Sequence, residues 1–266
     1  MSRLGIIAGG GALPAALAAA DPDALCVAFS GAEIALPETR IQRHRMEHLG
    51  ALFYALREAG VTRVVLAGAM SRPALDPAAL DPVMAALAPR IMAAMQGGDD
   101  GLLRLVIAIF EEQGFAVTGA HDLLPDLTAA PGLLTGPEPT DTARADIARA
   151  RAILDALSPV DVGQGCVVAS GLCLGVETLQ GTDALLGFVA ATPAHLRGRG
   201  GVLVKRPKLG QDLRVDMPAI GPATVQAAAR AGLDGIAIAA GGVMLLDRPA
   251  LLAACEANGL FLLAEP

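Results

Sequence analysis

Apolar residues along this chain fall into two kinds of stretch, short continuous runs and longer segments at helical spacing. Their alternation predicts an α/β fold with mostly parallel or mixed sheets. Residues 4–8 form an apolar run that ends in Gly9-Gly10-Gly11, and helix-prone residues 12–20 follow, which predicts strand, turn, helix. A second strand is expected at 24–29. Met46, Leu49, Phe53 and Leu56 recur at helical spacing within 46–59, Gly60 supplies a stop, and 62–67 is β-branched. Two successive helices are expected at 76–95 and 100–113, with Asp99 or Asp100 capping the second, and a strand at 115–118.

The pattern then breaks. Residues 126–139 are rich in Pro, Gly and Thr, including Pro131, Gly132, Gly136, Pro137 and Pro139. This predicts an N-terminal α/β domain over 1–130, a linker over 131–139 and a C-terminal α/β catalytic domain over 140–266. In the second half, helices are expected at 141–157, 182–190, 221–231 and 249–258. Strands are expected at 202–205, 236–239, 243–246 and 260–263, with two more inside 165–176 meeting near Ser170-Gly171. No internal repeat interrupts this alternation.

Composition narrows the class. At 266 residues the chain is long enough for two small domains sharing a cleft. Hydrophobic residues make up 53%, charged residues 18% and aromatics 3%, so Ala, Val and Leu must build the interior. The longest uncharged apolar stretches, 162–176 and 235–246, fall short of the roughly 20 residues that span a bilayer. With no charged leader before an apolar segment, the cytoplasm is the expected location. A net charge of -7 disfavours a nucleic-acid surface. Cys26, Cys166, Cys173 and Cys255 form no C-x-x-C pair and read as buried thiols, with a zinc site or a disulfide disfavoured.

Candidate chemistry concentrates in a few places. Gly9, Gly10 and Gly11 sit where a backbone and a helix N-terminus approach an anion, although a tight turn alone explains them equally well. Pro14 stands where the third glycine of the dinucleotide fingerprint would be, which disfavours a nicotinamide enzyme. The segment 205–221 packs Lys205, Arg206, Lys208 and Arg214 with Asp212 and Asp216 into a Pro/Gly-punctuated loop. Cations there suit phosphate oxygens and carboxylates suit a divalent metal. In extended backbone Arg214 and Asp216 face one side. A surface salt-bridge cluster is an equal reading of the same charges. Glu177 and Asp183 flank a turn with Thr182 as candidate helix cap, and are either further metal ligands or cap and solvent groups. His121 leaves the end of a first-domain strand and is a candidate substrate contact.

These residues resemble a known family, the UDP-2,3-diacylglucosamine diphosphatases of the LpxI type in lipid A biosynthesis. The likeness spans nearly the whole chain. It rests on Gly9-Gly10-Gly11-x-x-Pro14, Gly119-x-His121-Asp122, Gly175-Val176-Glu177 with Gly181-Thr182-Asp183, and Lys208-x-x-Gln211-Asp212-x-Arg214-x-Asp216-x-Pro218-x-x-Gly221-Pro222. The resemblance implies two α/β domains with the substrate between them. It implies magnesium-dependent hydrolysis of UDP-2,3-diacylglucosamine to UMP and 2,3-diacylglucosamine 1-phosphate, with water attacking the sugar-side phosphorus. Asp216 is then the catalytic carboxylate, with Asp216, Asp212, Glu177 and Asp183 as candidate metal ligands. Gly9, Gly10, Gly11, His121, Thr182, Lys205, Lys208, Gln211 and Arg214 are candidate substrate contacts. One departure is Gln180, where the family pattern carries glutamate before Gly-Thr-Asp. Peripheral contact with the inner-membrane surface through the lipid substrate, and a homodimer, are compatible with this picture. Competing readings are another nucleotide-sugar enzyme and a non-catalytic nucleotide-lipid sensor.

Overall fold

Strands buried on both faces read as continuous apolar runs, and parallel sheets are covered by helices for that reason. In the computed structural model, which describes residues 3–70, 75–96, 99–193 and 195–266, the first sheet is of this kind. β1 (Arg3–Ala8), β2 (Leu25–Phe29), β3 (Ile41–His44), β4 (Val61–Ala67) and β5 (Ala116–Val117) are all parallel, in the order β3-β2-β1-β4-β5. Ile7, Val27 and Val64 pack into one apolar cluster with Leu52, Phe53, Leu56, Leu87 and Phe110. The intervening Ile6, Cys26 and Val65 are buried on the opposite face. Phe53, Phe110 and Phe115 meet with ring centroids 5.4–6.3 Å apart, half of the chain's six phenylalanines in one place.

The helices of this part are α1 (Leu13–Ala20), α2 (Leu49–Glu58), α3 (Pro82–Gln96), α4 (Asp99–Glu112) and the single turn α5 (Ala120–Leu123). The helix expected from residue 76 starts instead at Pro82. Asp76 caps a short 3-10 turn by accepting from the Ala78 N–H at 3.0 Å, and Asp81 accepts from the Met84 N–H at 2.7 Å. β3 went unexpected because it is an edge strand whose Arg43 faces out to Glu38.

The second sheet is mixed. β6 (Gly132–Thr135), β7 (Gly165–Ala169), β8 (Leu172–Val176), β9 (Val202–Lys205), β11 (Gly235–Ala239) and β13 (Phe261–Glu265) run in the order β6-β13-β11-β9-β7-β8. A two-stranded parallel piece pairs β10 (Ala219–Ile220) with β12 (Met244–Leu245). Strand alternation sorts the buried residues onto two faces. Cys166, Val168, Val202, Val204, Ala237 and Phe261 face α6 (Asp141–Leu157), which presents Ala143, Ile147, Ala150 and Leu154. Val167, Leu203, Ile236, Ile238 and Leu262 face the cluster built with α7 (Gly181–Ala190), α8 (Pro222–Arg230) and α9 (Arg248–Asn258). Among the described residues, no helix is long and apolar enough to cross a membrane.

Contacts divide the chain into two units, residues up to Pro125 with Arg214–Asp216, and Asp126–Leu213 with Met217–Pro266. Two domain expectations need correction. The 131–139 stretch is not a plain linker, since Gly132–Thr135 pairs antiparallel with β13. Arg214–Asp216 does not group with residues 140–266, because Val215 packs on the first unit's apolar cluster.

Two polar groups inside these cores make predictions. Asp146, 2% exposed, accepts from the Ser170 N–H at 2.9 Å and the Gly171 N–H at 2.7 Å. Those two residues have φ of 49° and 78°, the left-handed pair that a two-residue hairpin turn demands. Asp146→Ala strands both amides and should cost about 3 kcal/mol in the urea unfolding of the second unit, with Asp146→Asn costing less. His44 has a buried Nε2 with no hydrogen-bond partner among the described residues, and burial lowers its pKa from the ordinary 6.5. The unfolded chain therefore takes up this proton at a higher pH than the folded one. Stability from this group is full above pH 6.5 and falls as pH drops toward the folded pKa. Thermal melts from pH 7.5 to 5 should show a shallower loss for His44→Gln than for the parent (~one proton fewer taken up on unfolding).

Candidate active site

In open α/β sheets the carboxyl ends of the parallel strands carry the chemistry. In the second unit that edge is organised by Lys205, the last residue of β9, which is only 4% exposed. A buried ammonium needs a counter-charge. Glu177, just after β8, supplies it with Oε2 at 3.1 Å and Oε1 at 3.3 Å from Nζ. Lys205 also donates to the Thr182 hydroxyl, which in turn donates to Glu177 Oε1 at 3.0 Å. Thr182 is thus not the helix cap expected; α7 begins one residue earlier, at Gly181, and its hydroxyl is drawn into the ion pair. Gly165 makes room, because a Cβ there would lie 2.5 Å from Glu177 Oε2.

The other cations of the loop are paired too. Arg206 lies 3.2 Å from Asp155, Lys208 is bonded to Asp161, and Arg214 lies 2.8 Å from Glu111. The Gln211 side chain accepts from the Lys208 N–H at 2.8 Å and its own N–H donates to the Lys208 carbonyl, closing a turn around Gly210, whose φ is 76°. All four cations therefore have carboxylate partners, as in the salt-bridge reading of the sequence. Leu213–Val215 forms a turn, so the extended backbone expected to align Arg214 with Asp216 is absent. Val215 entering the apolar cluster explains the turn. Asp212 and Asp216 are half-buried and have interactions of their own.

In the first unit the sheet order reverses between β1 and β4, the topological position where such folds receive ligands. Gly9-Gly10-Gly11 and Gly68-Ala69 meet there. The Gly9 N–H donates to Ala67 O at 2.7 Å, the Gly10 N–H to Ala69 O at 2.8 Å, and the Ala69 N–H back to Gly10 O at 2.9 Å. This corrects the expectation of an amide cradle at Gly9 and Gly10, since both N–H groups extend the sheet. Gly9 is required for packing, as its Cβ would lie 2.4 Å from Ala69 O. Gly10 could carry a Cβ with ordinary contacts, and Gly11 turns the chain into α1 with φ 94°. His121 sits in α5, beyond β5, with Nε2 3.6 Å from Asp122 Oδ1 and its ring folded over Gly119.

Among the described residues, no three His, Cys, Asp or Glu side chains gather into a metal-binding group. Glu177 has both oxygens engaged by Lys205 and Thr182, which suits a counter-ion better than a metal ligand. Asp183 is exposed and lines a groove between α7 and α8 with Gln226 and Arg230. The LpxI N-terminal domain profile matches residues 3–127, and the LpxI C-terminal domain profile matches residues 130–263. The chain belongs to the LpxI family. A relative from Caulobacter vibrioides, UDP-2,3-diacylglucosamine pyrophosphatase LpxI, is 39% identical over 284 aligned positions covering 99% of this chain and 97% of that protein. The LpxI match therefore includes every segment described above.

Sequence reasoning missed Asp155, Asp161 and Glu111, the acids that hold the loop's cations. Their only signal was opposite charge in a charge-poor chain, without a spacing rule to pair them. Gly165 offered none. The Lys205–Glu177 pair is testable by a double-mutant cycle in urea. Lys205→Met should cost about 3–5 kcal/mol by leaving a buried carboxylate unpaired, whereas Lys205→Met with Glu177→Gln should recover much of the loss.

Proposed function

We propose that this LpxI-family chain hydrolyses the diphosphate of UDP-2,3-diacylglucosamine, giving UMP and 2,3-diacylglucosamine 1-phosphate for lipid A biosynthesis. The observation that carries the proposal is the 39% identity, across 99% of the chain, to a protein named for that activity. Phosphoryl transfer is mostly positioning and charge neutralisation, so no covalent nucleophile is required. Asp216 is the carboxylate assigned to the chemistry, orienting the attacking water or holding the metal. Mg²⁺, when bound, neutralises diphosphate charge. It commonly binds through one or two carboxylates together with substrate phosphates, so Asp216 fits without a three-ligand protein cluster. Lys208 and Arg214 are the cations that can exchange carboxylate partners for phosphate oxygens, because those partners, Asp161 and Glu111, reach the surface. Lys205 is less free to do so and acts by holding the edge of β9 and the start of α7 in register. Gly11 and His121 remain assigned to the substrate on the first unit's sheet edge. A nucleotide-activated substrate places the work in the cytoplasm, with its lipid part bringing peripheral contact with the inner membrane. A homodimer belongs to the same proposal.

Water attacking the sugar-side phosphorus leaves its oxygen in the sugar phosphate. Turnover in ¹⁸O-water should therefore label 2,3-diacylglucosamine 1-phosphate and leave UMP unlabelled, and chelation of divalent cations should stop it. Asp216→Ala should lower kcat by roughly 10³-fold or more while substrate binding is retained, measured by single-turnover UMP release beside equilibrium binding. Near-parental turnover by that variant would remove Asp216 from the mechanism.

A further inference from the structure

Hairpin β7–β8 holds a feature that the diphosphatase reading does not use. Cys166 in β7 and Cys173 in β8 bring their sulfurs to 3.9 Å. Directly opposed residues of an antiparallel pair share a face of the sheet. Cys173 is opposed to Val168, which lies on the α6 face together with Cys166. Cys166 is opposed to Val176, which packs on that same face. Cys173 and Val176, three apart, can share a face only because the register shifts between Val167 and Val168. Without that bulge the two thiols would not be turned toward each other.

We infer that Cys166 and Cys173 form a reversible dithiol–disulfide site, oxidised by exchange with a low-molecular-weight disulfide. The two thiols differ in access. Cys173 is exposed, whereas Cys166 is fully buried, as are Cys26 and Cys255. Forming the bond needs the sulfurs to close to about 2.05 Å. Among the described residues β8 is an outer strand paired only with β7, so a shift of β8 would break no second ladder.

The order of events follows from access. Cys173, as thiolate, attacks one sulfur of the disulfide RSSR, whose S–S bond breaks. One RS⁻ leaves and takes up a proton as RSH. Cys166 then loses its proton to solvent, and its sulfur displaces the second RS⁻ from Cys173, which also leaves as RSH. Two cysteine thiols are oxidised and one RSSR is reduced to two thiols. Burial raises the Cys166 pKa, so ring closure speeds up with pH as its thiolate fraction grows. The new bond ties down the strand that delivers Glu177 to Lys205.

The test uses the full chain in its folded state. It is incubated with glutathione disulfide at pH 7 and pH 8.5, quenched with N-ethylmaleimide, unfolded, alkylated and mapped by peptide mass. The expected result is a Cys166–Cys173 link that forms faster at pH 8.5 and is reversed by dithiothreitol, with Cys26 and Cys255 alkylated. Cys166→Ser should instead accumulate the Cys173–glutathione adduct, and Cys173→Ser should leave Cys166 unmodified. Parent protein that stops at the Cys173–glutathione adduct with Cys166 alkylated would overturn the inference. So would a link involving Cys26 or Cys255, or no modification at Cys173.

Discussion

An ammonium removed from water has to be matched by a nearby negative charge, and that requirement at Lys205 orders one edge of the second sheet. Glu177 must arrive from the end of β8, Thr182 from the first turn of α7, and Gly165 must carry no side chain for the carboxylate to fit. Glu177 and Thr182, 28 and 23 residues before Lys205, are thereby fixed by one ion. Strand ends can fray at modest cost, but a displaced Glu177 leaves Lys205 buried without its counter-charge. The pair therefore specifies where β8 ends and where α7 begins more sharply than the apolar contacts behind them.

The same logic recurs with weaker partners. Arg206, Lys208 and Arg214 each find a carboxylate, but one that reaches the surface, where water competes for it. The loop is thus anchored at Lys205 by a buried ion pair and beyond it by further ion pairs, by the Gln211 turn and by Val215 in the first unit's apolar cluster.

Much of the fold was legible because both sheets are covered on their faces and the strands announce themselves as apolar runs. α6 was readable from its amphipathic spacing, and the hairpin turn from Ser170-Gly171 between two such runs. β3, β6 and β10 were not readable. β3 and β6 are short edge strands with polar or glycine-bearing sequences, and β10 has only two residues, so each depends on a neighbour and not on its own pattern. In the candidate site, residue types were legible and pairings were not. Asp146 looked like a solvent charge on a helix, and only the folded hairpin shows which amides it serves. The glycine turn was located correctly, yet the Gly9 and Gly10 amides serve the sheet, a choice made by Ala67 and Ala69, nearly sixty residues away.

The membership of Arg214–Asp216 in the first unit bears on how the chain matures at the ribosome. Domains emerging from synthesis tend to fold in order from the N-terminus. Here the sheet and helices of the first unit are complete in sequence by Pro125, but the apolar surface that receives Val215 waits until most of the second unit has been translated. The nascent first unit must stay soluble through that interval with part of its cluster uncovered, and its final consolidation is delayed until the loop carrying Asp216 has been made.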